Sequence, residues 1–108
     1  MSVVYLPLML RPVSISENAL KEIKNILKNK GIPDGYGLRI TVRGAGCGVA
    51  LKLGFDQKKE GDLEYYVDDV MVVIQKKETL FMVGKQIEFY DEVDGRGFMF
   101  IDEPTPQQ

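Results

Sequence analysis

The sequence predicts one α+β domain, mostly β, with an N-terminal helix packed on small mixed or antiparallel sheets. Two observations carry this. One stretch, residues 16–30, repeats its apolar side chains at helical spacing, and most of the chain beyond it alternates apolar and polar residues in short runs broken by turn residues. The length of 108 residues sets the domain number, because a chain this size buries roughly 65% of its unfolded surface around a single core.

The helix is announced at Val13-Ser14-Ile15-Ser16, where the Ser16 hydroxyl can accept from the orphan amides of a first turn and Glu17 suits the positive end of the helix dipole. Leu20, Ile23, Ile26 and Leu27 then share one face, while Lys21, Lys24 and Lys28 look outward. The helix should stop near Lys30, since Gly31 can take the left-handed conformation just past a helix end and Pro33 comes two residues later. After a loop at 33–37, Leu38 to Arg43 and Val49 to Phe55 alternate as half-buried strands around the interruption Gly44-Ala45-Gly46-Cys47-Gly48. Leu63 to Val67 and Val70 to Ile74 are strands rich in β-branched and aromatic residues, with Asp68-Asp69 as a tight turn. Lys76 to Val83 lacks a clean period and is read as a short helical turn closed by Gly84. Ile87 to Tyr90 and Arg96 to Ile101 form a final hairpin around Asp94-Gly95, whose residues tolerate positive φ. The organisation is therefore an N-terminal apolar segment (1–12), the domain (13–101) and a flexible tail (102–108) with two prolines and no apolar side chain.

Composition excludes several functions. A formal net charge of −2 provides no cationic field for a phosphate backbone, so nucleic acid is not an expected partner. Histidine is absent, which removes the usual general base and the usual zinc ligand together, and no enzyme is expected. A single cysteine cannot close an internal disulfide. The opening MSVVYLPLML lacks a basic flank and a small-residue cleavage site and is too short to span a bilayer. It reads as a segment that packs on the domain or on an oligomeric partner, and a cytoplasmic, non-membrane protein is expected.

Cys47 is the one soft nucleophile. Gly46 and Gly48 beside it let backbone amides approach an anionic sulfide or thiolate, which favours a functional thiol. Against this stands the reading of a small buried hydrophobe in a tight bend between strands. Arg39 or Arg43 could depress its pKa, but no histidine can serve as a base. The acidic group Asp91, Glu92 and Asp94 and the pair Lys76-Lys77 read as solvated surface. Tyr65, Tyr66, Phe81, Phe89, Phe98 and Phe100 are assigned to core and interface packing.

Taken in order, the N-terminal helix, Gly37-Leu38-Arg39-Ile40-Thr41-Val42, Gly46-Cys47-Gly48, Leu53-Gly54-Phe55, a valine-rich strand and Gly97-Phe98-Met99-Phe100 resemble the A-type iron-sulfur carrier (HesB-like) family over residues 13–101. The resemblance implies a HesB-like domain. It also implies that Cys47 matches the first of three cysteines that hold iron or an iron-sulfur cluster, usually across a dimer. In place of the family's C-terminal Cys-Gly-Cys this sequence has Asp102-Glu103-Pro104-Thr105-Pro106-Gln107-Gln108, and Cys47-Gly48-Val49 departs from the usual Cys-Ser-Gly. Each iron needs four ligands, so one thiolate per chain must be supplemented by a second protomer, glutathione, another protein, or carboxylates such as Asp102 and Glu103. The resemblance thus implies an iron-sulfur assembly accessory protein. It would bind or transfer iron or a labile cluster through Cys47 in a homodimer, with Gly46 and Gly48 lining the site and assembly proteins or apo-protein acceptors as partners. The alternative is a protein-interaction module that keeps the fold and binds no metal.

Overall fold

A strand stands where the sequence predicts only the approach to a helix cap. In the computed structural model, which describes residues 11–44 and 50–104, β1 (Val13–Ile15) pairs in parallel with a late strand, Val13 opposite Lys85 and Ile15 opposite Ile87. Helix α1 (Glu17–Asn29) comes next, capped by Ser16, whose Oγ accepts from the Ala19 amide at 3.2 Å. The same Oγ donates to Glu88 Oε2 at 2.7 Å, and the Ser16 amide donates to the Ile87 carbonyl at 2.9 Å, so the cap also ties the helix start to that late strand. Gly31 takes φ 66° just past the helix, as the sequence predicts.

Six further strands join β1 among the described residues: β2 (Tyr36–Arg43), β3 (Ala50–Gln57), β4 (Asp62–Val67), β5 (Val70–Gln75), β6 (Lys85–Glu92) and β7 (Gly95–Asp102). They form a three-stranded sheet ordered β1-β6-β7 and a four-stranded sheet ordered β3-β2-β5-β4. Both sheets are mixed, because β1 runs parallel to β6 and β2 parallel to β5 while the other pairs are antiparallel. This is the α+β, mostly β architecture expected. Alternation decides which side chains meet: Leu38, Ile40, Val72, Ile74 and Tyr65 share one face of the larger sheet and join Val13, Ala19, Ile23, Met82 and Ile87 in one core. Tyr65 ties the two sheets together. Its hydroxyl donates to the Val13 carbonyl at 2.7 Å and accepts from the Val13 amide at 3.2 Å, and burial pushes its pKa upward.

Four expectations need correction. The last hairpin turns at Val93-Asp94, not Asp94-Gly95, since Gly95 already pairs with Glu92 in the ladder. Neither turn residue takes positive φ, so the feature that points to Asp94-Gly95 is not what shapes this turn. β7 continues through Asp102, one residue into the expected tail, because Asp102 pairs with Lys85 in register and through a 2.7 Å ion pair. Residues 76–81 are a 3-10 helix, shorter than the expected turn through Val83. Tyr66 and Phe81 are 50% and 58% exposed, so neither belongs to the core, whereas Phe89, Phe98 and Phe100 do pack against it. Asp68-Asp69 is the tight turn expected, with Asp68 at φ 55°.

Candidate functional site

The β2–β3 hairpin carries the sequence's one candidate centre. Its ladder is continuous from Tyr36 opposite Gln57 to Arg43 opposite Ala50, which leaves residues 44–49 as the connection. Gly46, Cys47 and Gly48, the residues singled out for cofactor and metal binding, lie outside the described residues. What is described is the frame that leads to them. β2 is held on both sides as far as Ile40, by β3 and by β5, and beyond Ile40 the β5 partner ends. There the Val42 amide donates to Glu78 Oε1 at 3.1 Å, so a carboxylate from the 3-10 helix takes over where the ladder stops. Val42 and Leu51 face each other across the hairpin and pack on the core. The end that carries Cys47 is therefore built as part of the domain. Glu78 was invisible to sequence reasoning, since a lone acid in an aperiodic stretch gives no signal.

Arg39 is committed to other partners. It lies four residues before the strand end at Arg43, about 13 Å at ordinary strand rise, and its guanidinium points to the opposite end of the hairpin. Nη1 and Nη2 donate to the two Asp62 carboxylate oxygens at 2.7 Å each, Nη2 also donates to the Gln57 carbonyl at 2.9 Å, and Nε lies 3.4 Å from Asp56 Oδ2. Arg39 and Asp62 are only 8% and 5% exposed, so this is a buried, bidentate pair. The bond to Asp62 raises the arginine's pKa, and the same bond holds the Asp62 carboxyl below its usual range despite burial. Asp62 also accepts from the Lys59 amide at 2.7 Å. Together these contacts tie the short 58–61 crossover to the centre of the sheet. Arg43, the other cation considered, is exposed at the strand end.

Of the carboxylates weighed as supplementary ligands, Asp102 is engaged by a side-chain partner, while Glu103 is held through its backbone. Asp102 is paired with Lys85, which lowers its pKa, and the Glu103 amide donates to the Gly84 carbonyl at 2.7 Å, fixing that end of the chain against β6. Among the described residues no group of three or more His, Cys, Asp or Glu side chains could hold a metal ion. Asp91 lies 3.4 Å from Arg96, and Asp91, Glu92 and Asp94 are exposed, as expected for solvated surface. A cleft of about 450 Å³ between α1 and the β6–β7 hairpin is lined by Asn18, Glu22 and Phe89, with Arg96 lying 5.0 Å over the Phe89 ring and 3.5 Å from Glu22. Arg96 is paired there with Glu22 and Asp91, and the lining contains no soft donor. No described helix is long and apolar enough to cross a membrane.

No protein-family model matches the chain. It is 37% identical over 92 residues to the iron-binding protein IscA of Enterobacter sp. (strain 638), covering 83% of this chain and 84% of that protein. It is 33% identical over 90 residues to the iron-sulfur cluster insertion protein ErpA of Saccharophagus degradans, covering 82% and 76%. The crystal structure of Escherichia coli SufA, a protein involved in biosynthesis of iron-sulfur clusters, superposes with a TM-score of 0.68 over 85% of this chain and 86% of that one, at 19% identity. The superposition speaks for the fold, and the sequence identities speak for descent. The chain belongs to the A-type iron-sulfur carrier family, the family of IscA and ErpA.

Proposed function

We propose that this protein acts in iron-sulfur cluster assembly as an accessory carrier. It takes up iron or a labile cluster as cargo at Cys47 and passes it to assembly proteins or apo-protein acceptors. Membership in a family whose relatives are named for binding iron and inserting clusters carries the reading, together with a lone cysteine in the connection of the β2–β3 hairpin. Thiolate is the soft donor that iron-sulfur chemistry prefers, and glycines such as Gly46 and Gly48, lacking side chains, would let backbone amides face bridging sulfide. Two protomers meeting at a twofold axis would supply two thiolates, and the remaining positions would be filled by glutathione or by the acceptor's own cysteines. No step requires a general base, which agrees with a non-catalytic carrier without histidine. A cytoplasmic setting keeps the thiol reduced.

Anaerobic reconstitution with ferrous iron and sulfide, with and without glutathione, tests this on wild type and Cys47→Ser. The expected result is a visible charge-transfer chromophore in wild type only, with iron and sulfide stoichiometry approaching one cluster per two chains. A chromophore of equal intensity in Cys47→Ser, or none in either protein, overturns the assignment of Cys47.

The second reading is an interaction module without metal, and one observation favours it: the described residues contain no other group of ligating side chains. Partner capture unchanged by Cys47→Ser, from a protein that purifies without iron under anaerobic conditions, would establish this reading.

A further inference from the structure

The 3-10 helix ends in an apolar surface that nothing in the described domain covers. Leu80 is 83% exposed, Phe81 58% and Val83 39%, while Met82 between them is fully buried. Met82 decides the geometry. With its side chain in the core and its amide donating to the Thr79 carbonyl at 3.1 Å, the segment is fixed and its neighbours cannot turn inward. Isolated exposed apolar residues are ordinary, but three large ones within four positions concentrate apolar surface in one short segment, the kind of feature that marks a contact surface.

We propose that residues 1–10 of the same chain seat on Leu80, Phe81 and Val83. The place where the described chain begins is the first reason. The Gly84 amide donates to the Pro12 carbonyl at 3.0 Å, so the chain emerges beside the residue that directly succeeds Val83. Arg11 is tied down as well, its guanidinium donating to the Tyr66 carbonyl. Composition is the second. MSVVYLPLML holds eight apolar residues in ten and no charged side chain, which in water favours burial against an apolar partner surface. Ten extended residues span about 33 Å, far more than a start beside Gly84 requires. Tethering is the third, because a ligand on a short link has an effective concentration in the millimolar range, well above that of a second copy in dilute solution. The 3-10 helix that leads into this surface is itself anchored to the domain, its Glu78 accepting from the Val42 amide.

The sequence has no tryptophan, so Phe81→Trp installs a single fluorophore in the patch. Acrylamide quenching and the emission maximum would be compared in three forms: the full chain, a chain starting at Arg11, and a full chain carrying Leu6→Ser and Leu8→Ser. The last covers the case in which the shortened chain does not fold. The expected result is blue-shifted, quencher-protected emission in the full chain, independent of protein concentration. Both altered forms should show red-shifted emission and several-fold faster quenching. Equal quenching in the full chain and the folded altered forms overturns the proposal. Protection that grows with protein concentration does so too, by assigning the surface to a second copy.

Discussion

Replacing Arg39 by Met strands the Asp62 carboxylate, which is 5% exposed and would retain only the Lys59 amide as donor. Leaving one member of a buried ion pair unpartnered costs about 3–5 kcal/mol. That is a large fraction of the ~5–15 kcal/mol that a domain of this size possesses, and it predicts a fall in Tm on the order of 20 °C. The pair itself is worth much less than this, because both ions were desolvated to form it. Arg39→Met combined with Asp62→Leu removes both charges and leaves two orphaned backbone groups, the Gln57 carbonyl and the Lys59 amide. The double variant should therefore lose only about 1–2 kcal/mol. Urea unfolding of wild type, both single variants and the double variant closes the cycle, with a coupling energy of at least about 2 kcal/mol expected. The reasoning is refuted if each single substitution costs under about 1 kcal/mol, or if the two costs simply add. Unchanged m-values would show that the comparison concerns the native pair and not a shifted denatured state.

Tyr65→Phe removes the hydroxyl that serves both the Val13 carbonyl and the Val13 amide; a loss of about 2–4 kcal/mol in urea unfolding is expected, and a loss below about 0.5 kcal/mol would show that the two sheets do not depend on this bridge. Gly37→Ala places a Cβ 2.8 Å from both the Met71 Cε and the Met71 carbonyl oxygen. The methionine tip can move but the carbonyl cannot, so thermal unfolding should show a loss of about 1–3 kcal/mol. The Asp62 carboxyl is held below its ordinary 3.8 in the folded state. Its contribution is therefore complete above that value and is lost as pH falls through the lowered native one. Urea midpoints measured from about pH 6 down to about pH 2 should drop steeply below about pH 4 in wild type and less steeply in Asp62→Asn; parallel curves would remove Asp62 from the acid response.

Where burial enforces a period, the sequence is readable. The stripe Leu20, Ile23, Ile26, Leu27 locates α1, and the alternation of β2 through β5 locates the larger sheet, because a one-residue slip would turn each apolar set toward water. β1 escapes notice because three residues carry no period, and its pairing with β6 joins positions more than seventy residues apart. Arg39 and Asp62 occupy polar positions of alternating strands, which normally face solvent. Nothing local tells that a short crossover brings Asp56 and Asp62 to the same guanidinium and buries it. The final turn is misread because Asp-Gly is a strong hairpin signal whose register, here one residue earlier, is set by the whole β6–β7 ladder. Cys47 lies outside the described residues, and its reading as a functional thiol rests on residue type and glycine neighbours together with the family resemblance.

The distribution of polar chemistry in the frame bears on what kind of carrier this protein makes. Its strongest charged groups are spent on itself: Arg39 and Asp62 inside the sheet, Lys85 and Asp102 across β6–β7, Lys24 against the Asp68-Asp69 turn. None converges on the end of the β2–β3 hairpin, where the one polar contact described is Glu78 holding a backbone amide. On the carrier reading, a cargo at Cys47 would be bound chiefly through sulfur and backbone, with the exposed Arg43 as the cation at the end of β2. Affinity for a cluster rises with the number of thiolates the protein itself commits, and so does the barrier to giving the cluster up. A chain that contributes one thiolate leaves most of the shell to exchangeable donors, so an acceptor with several cysteines can replace them one at a time without prying open a closed site. Such a shell suits transfer better than storage.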